Sequence, residues 1–250
     1  MASRQYPGAL ALIALLALGL ALGLASPAAA DNISLSYRGQ ESVSYKVNSQ
    51  TFNVSTAEFY SVNPFWGQDW IGYCVDPTQY FANPLPVVST SVWAGPAVGS
   101  ANWMEAAWLL ENFSPGVSWL VSHQSVNYGS STVRDTIQAV QLAIWEVIVD
   151  ASSSYSASSL SQGGFRYVSG DAQALNMAGQ YLVALDQAKQ AGGGTASLSG
   201  NLNFAVGQSA NHQDILLASQ GAAATPEPGT LVLAASGLGL AFWRRRRAGA

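Results

Sequence analysis

The 250-residue chain has one cysteine, Cys74, two histidines and only ten lysines and arginines. One cysteine cannot close an internal disulfide, and two histidines and a cysteine set far apart lack the spacing of a metal site. Basic residues are scarcer still between Asp31 and Ala224. There Arg38, Lys46, Arg134, Arg166 and Lys189 face thirteen acids, a balance of −8. Without a basic patch, nucleic acid and anionic membrane surfaces are poor partners. No glycine-rich phosphate cradle is present either: Gly192, Gly193 and Gly194 follow a helical pattern and read as its stop. The residues therefore call for no cofactor and no metal.

What the chain does have is two apolar ends. Arg4 is the only charged side chain before Asp31, and residues 8–25 are almost wholly apolar. The run ends in "SPAAA", where Ala28 and Ala30 make a small-x-small exit with a cut before Asp31. Residues 1–30 thus read as a secretory signal peptide, with an uncleaved N-terminal membrane helix as the alternative.

At the other end, residues 221–229 form a linker containing Pro226, Glu227 and Pro228. An apolar stretch follows from Thr230 to Trp243, then a basic tail over 244–250 with Arg244, Arg245, Arg246 and Arg247. The stretch is 14 residues long, short of the roughly 20 that span a bilayer. It reads as a weak, temporary inner-membrane hold with its arginines on the cytoplasmic side. This arrangement resembles the PEP-CTERM sorting signal of Gram-negative bacteria. The resemblance implies export, processing by an exosortase, and release to the cell surface or extracellular matrix.

Between the ends lies one domain over 31–220, expected to be α+β. Ile33, Leu35 and Tyr37, then Val43, Tyr45, Val47, Phe52 and Val54, alternate as in antiparallel strands. From Ala101 the period changes to that of helices. One begins at Asn102; a second carries Ile137, Val140, Ile144 and Ile148 as a stripe; a third starts at Ser169 or Asp171 and stops at Gly192. Strand character returns in 196–207 and 212–219, while the serine-rich 150–164 reads as a loop. The expected architecture is an antiparallel sandwich or barrel-like portion with an inserted helical portion of about three helices.

The lone cysteine lies in "WIGYCVDP", with "VQLAIW" at 140–145 and "HQDILL" at 212–217 farther on. Composition alone makes Cys74 a buried, inert thiol. The three blocks, in this order, resemble the thioester domains of bacterial surface adhesins. There a cysteine and a late glutamine condense, losing ammonia, into an internal thioester. Tyr73, Cys74, Val75 and Asp76 fit the first block in full. Gln141, Ala143, Ile144 and Trp145 fit the second, although Val140 replaces the usual threonine. Gln213, Asp214, Ile215 and Leu216 fit the last, with His212 where an apolar residue is commoner.

The resemblance implies a Cys74–Gln213 crosslink that captures an amine on a surface protein or glycan. Gln141 would orient the site by hydrogen bonds and Trp145 would fill the core beside it. Gln141 is the competing acyl partner. Such a protein acts once and covalently and is not an enzyme.

The chemistry stands without the resemblance. An amide carbonyl is a poor target for sulfur unless held close, and near-attack placement can contribute ~7–11 kcal/mol. Only Lys46, Lys189 and an α-amine at Asp31 could attack such a thioester from within. Two other readings remain open at this point: a non-covalent matrix or surface structural protein, and a Cys-His hydrolase using His212 or His123, with Asp214 as orienting acid.

Overall fold

The structure, a computed structural model, describes residues 32–64, 68–81, 85–86, 89–93, 101–208 and 211–221. Ala28 and Ala30, the Pro226–Pro228 tripeptide, the apolar stretch 230–243 and the four arginines lie outside the described residues. Among the described residues no helix is long and apolar enough to cross a membrane.

Two long strands form first. Strand β2 (Leu35–Val47) and β3 (Gln50–Ser61) make a hairpin, paired from Leu35↔Ser61 to Val47↔Gln50. Alternation predicts them, with one departure. The register slips between Arg38 and Glu41, where Gly39 adopts φ 65. A bulge of one extra residue reverses which face each later side chain meets. Val43 and Tyr45 therefore face the helices, while Tyr37, expected on their side, points the other way and is 50% exposed. Gly39 also sits where a Cβ would come within 2.4 Å of Ile137 Cδ1, so both its backbone and its surroundings require glycine.

Strand β4 (Trp70–Cys74) pairs with β3, and the last strand, β9 (Ile215–Gln220), pairs with β4 over its whole length. With β6 (Ser89–Trp93), β7 (Phe165–Ser169) and β8 (Leu202–Gln208) they form a seven-stranded antiparallel sheet, ordered β6-β8-β9-β4-β3-β2-β7. Two short strands, β1 (Asn32–Ile33) and β5 (Leu85–Pro86), pair separately. The fold is α+β as expected. The sheet stays open, however, with β6 and β7 at its two edges, and does not close into a barrel.

Among the described residues there are four α-helices where about three were expected: α1 (Ala101–Phe113), α2 (Pro115–Ser122), α3 (Ser131–Val149) and α4 (Ala172–Ala191). Strand β7 separates α4 from the others, so the helices are not one uninterrupted insertion. The α2 start was readable: Pro115 follows Ser114, and proline suits a first helical position. Asp171, not Ser169, caps α4, its Oδ1 accepting from the Ala174 N–H at 2.9 Å. Ile137, Val140 and Ile144 are fully buried, so α3 runs through the centre of the core. Cys74 ends a strand, and Gln213 lies in the link just before one.

Candidate functional site

Strand pairing brings the two outer motifs together. Cys74 is opposite Ile215, and one step on, the Val75 N–H donates to the Asp214 carbonyl at 2.9 Å. Asp76 then starts a turn, its Oδ1 accepting from the Thr78 N–H (2.8 Å) and hydroxyl (2.6 Å). That turn leaves the Asp76 carbonyl to accept from Gln213 Nε2 at 2.9 Å. The Gln213 main-chain N–H donates to the Tyr80 carbonyl at 3.2 Å. Thus the Gln213 carboxamide is tied to a residue two beyond Cys74.

The middle motif arrives from α3. Gln141 Oε1 accepts from the Cys74 N–H at 3.1 Å, and its Nε2 donates to the Cys74 carbonyl at 2.6 Å. A single carboxamide thereby completes both main-chain hydrogen bonds of the residue where the strand stops, the role a neighbouring strand would otherwise fill. Gln141 is 1% exposed and Gln213 7%.

Cys74, Gln141, Trp145 and Gln213 line one cavity of about 250 Å³, walled also by Tyr45, Phe59 and Phe81. Tyr80, 75% exposed, contributes to the same lining. Tyr45 lies 4.7 Å from Trp145, ring to ring, and its hydroxyl donates to the Pro77 carbonyl at 2.6 Å. Burial, then the charge of Asp76, pushes the Cys74 thiol well above its ordinary value. Cys74 is therefore a protonated thiol at neutral pH.

His212 and Asp214 are half-buried and His123 is exposed at the end of α2. Among the described residues neither imidazole hydrogen-bonds the Cys74 thiol, and neither lines its cavity. No cluster of candidate metal ligands occurs among the described residues.

A second buried centre lies beside Tyr73 and escaped the sequence reading. Glu58 on β3 is fully buried and accepts from the hydroxyls of Tyr60 (2.5 Å), Tyr73 (3.0 Å), Tyr128 (3.0 Å) and Ser114, and from the Gly116 N–H (3.1 Å). The Arg38 guanidinium lies over the Tyr60 ring, 4.8 Å from its centre. Burial raises the Glu58 carboxyl, against the pull of these hydrogen bonds. Its partners span Tyr60 to Tyr128, so no local pattern signals the cluster. The only hint was an acid at an inward position of a strand. Its effect is to fasten the first turn of α2, and the strand that ends at Cys74, to the middle of the sheet.

Residues 224–247 match the model of the PEP-CTERM protein-sorting motif. Such signals are recognised by an exosortase and mark proteins for export to the cell surface or extracellular space. No curated protein and no solved structure is significantly similar to the chain.

Proposed function

We propose that this exported protein forms an internal thioester between Cys74 and Gln213 and uses it to capture an amine on a surface or matrix partner. The observation that carries the reading is the placement of both groups in one cavity, with the Gln213 carboxamide held to the Asp76 carbonyl. Gln141 supports the assignment by being engaged elsewhere: both ends of its amide serve the Cys74 main chain. It orients Cys74 and leaves the acyl role to Gln213.

The chemistry balances without an added reagent. The Cys74 sulfur bonds to the Gln213 acyl carbon, the carbon–nitrogen bond breaks, and the thiol proton departs with the nitrogen as ammonia. A partner amine then attacks the acyl carbon, the carbon–sulfur bond breaks, and the sulfur regains a proton. The product is a stable amide at Gln213, reached in one turnover.

One internal amine is held away from attack. Lys189, one of the two lysines of the body, is buried in an ion pair with Glu105 at 2.5 Å. The exposure of Tyr80 beside the buried thiol gives a partner chain an aromatic surface to meet.

The alternative, a non-covalent structural protein with an inert cysteine, draws on the raised and buried thiol. Intact mass separates the two. Wild type kept free of amines is expected to be lighter than its sequence by one ammonia, whereas Cys74→Ala matches its sequence. Methylamine should then add to wild type at Gln213. A wild type of unreduced mass that takes up no methylamine refutes the thioester, and addition at Gln141 refutes the choice of partner.

A further inference from the structure

Nearly every buried polar group near Cys74 is paired, which isolates one exception. The indole Nε1 of Trp145 is buried and has no hydrogen-bond partner among the described residues. An indole N–H only donates, and leaving one unpaired in a protein interior is unfavourable. Buried tryptophans usually avoid that by finding an acceptor. Trp145 is 2% exposed, so water at the surface does not serve it. Tyr45 at 4.7 Å and Phe165 at 6.1 Å hem in the ring, and Tyr45 is itself anchored to Pro77.

Position connects this donor to the thioester. Trp145 follows Gln141 by four residues on α3, one helical turn along the same face. Both line the cavity that holds Cys74 and Gln213. Other buried donors there are occupied. The Gln141 amide nitrogen serves the Cys74 carbonyl, and the Tyr45 hydroxyl serves Pro77. The Gln213 amide nitrogen would leave as ammonia. The acyl oxygen of Gln213 is the atom on which charge develops when that carbon is attacked, and so the atom that calls for a donor.

We infer that the Trp145 indole N–H is the oxyanion donor of the Cys74–Gln213 centre, an inference that rests on the thioester reading above. When the amine attacks, its lone pair bonds the acyl carbon and the carbonyl π electrons move onto oxygen, where Nε1–H holds them. As the intermediate collapses, the carbon–sulfur bond breaks and its electrons go to Sγ. The surplus proton of the amine ends on that sulfur and restores the thiol. A buried donor that meets the developing charge favours the transition state over the resting acyl group. The same contact assists thioester formation, which passes through an oxyanion at the same carbon.

The test uses Trp145→Phe, which keeps an aromatic ring and removes the N–H. Wild type and variant are incubated with methylamine and the addition is timed by intact mass. Capture by the variant is expected to be slowed by ~10²-fold, as for loss of one oxyanion donor elsewhere. A wild type that captures methylamine beside a variant within threefold of its rate overturns the donor role and leaves the thioester standing. A wild type that neither loses ammonia nor takes up methylamine overturns both.

Because the variant could also fail to assemble, the wild-type indole proton gives an independent readout. Its resonance in an amide-type proton–nitrogen spectrum is expected downfield of its position in Cys74→Ala. An unchanged resonance overturns the contact.

Discussion

Gly116→Ala should destabilise the protein by ~2–4 kcal/mol, although alanine is the better helix former by about 1 kcal/mol. The reason is the carboxylate of Glu58. A Cβ built on Gly116 would lie 2.8 Å from Glu58 Oε2 and 2.9 Å from both Oε1 and Cδ. Ordinary contact begins near 3.4 Å, so either the helix or the carboxylate must withdraw by several tenths of an ångström. The carboxylate cannot withdraw freely, because Tyr60, Tyr73, Tyr128 and Ser114 hold it from other sides. Overpacking of this kind costs ~1–3 kcal/mol, and weakening the Gly116 N–H bond to a charged acceptor costs about 1.5–3 kcal/mol more. Set against the propensity gain, the sum is ~1.5–5 kcal/mol, which brackets the stated range.

Urea unfolding followed by tryptophan fluorescence measures it, as a fall in the midpoint of about 1–2 M for m-values of the usual size. The cycle with Glu58→Ala sharpens the test, since removing the carboxylate removes what the new methyl would strike. The double variant should fall short of the summed single losses by ~0.5–3 kcal/mol. A Gly116→Ala protein within ~0.5 kcal/mol of wild type, or strict additivity, refutes the account of Glu58 as the anchor of α2.

Two further outcomes follow from buried charge. Burial, then the neighbouring Asp150, raises the Glu146 carboxyl to about 8. A folded value above the unfolded one means that the folded state binds the extra proton, so stability is greatest below about 4.5 and is lost as pH rises through about 8. Glu146→Gln should therefore lose less stability than wild type between pH ~5 and ~8, compared by thermal melts; equal losses contradict this. Separately, Lys189→Met leaves the Glu105 carboxylate, which also accepts from the Tyr155 hydroxyl at 2.7 Å, without its cation. A loss of about 3–5 kcal/mol is expected in urea unfolding, and a smaller one for Lys189→Met with Glu105→Leu. A double variant no more stable than the single one argues against an isolated charge as the cause.

The strands and helices with clean periodicity were legible in the sequence, because burial on one side writes a period into the side chains. The buried row Val43, Tyr45, Val47 and the stripe Ile137, Val140, Ile144 follow that rule. Tyr37 did not, because a bulge at Gly39 changes the face without changing the alternation. Strand β7 was hidden beside a serine-rich loop: only Phe165 of it is buried, and it is an edge strand. The residues of the candidate site were nameable from their motifs, but their arrangement was not. That Gln141 binds the Cys74 main chain at both amide ends depends on α3 crossing the end of β4, which is a tertiary fact. Glu58 and its five donors were invisible for the same reason, as was the unpaired nitrogen of Trp145.

The position of Gln213 directly before β9 has a mechanical consequence. Once a partner is joined to the Gln213 side chain, tension between that partner and the C-terminal side of the chain enters at residue 213 and leaves past residue 221. The load path is then β9 and its two short flanks, with the rest of the sheet and the helices α1 to α4 outside it. A strand already extended at about 3.3 Å per residue has almost no slack to release. Flanked by β4 and β8, it is also braced on both sides. Pulling would therefore be borne by covalent bonds along a taut strand, while the domain around it need not unfold.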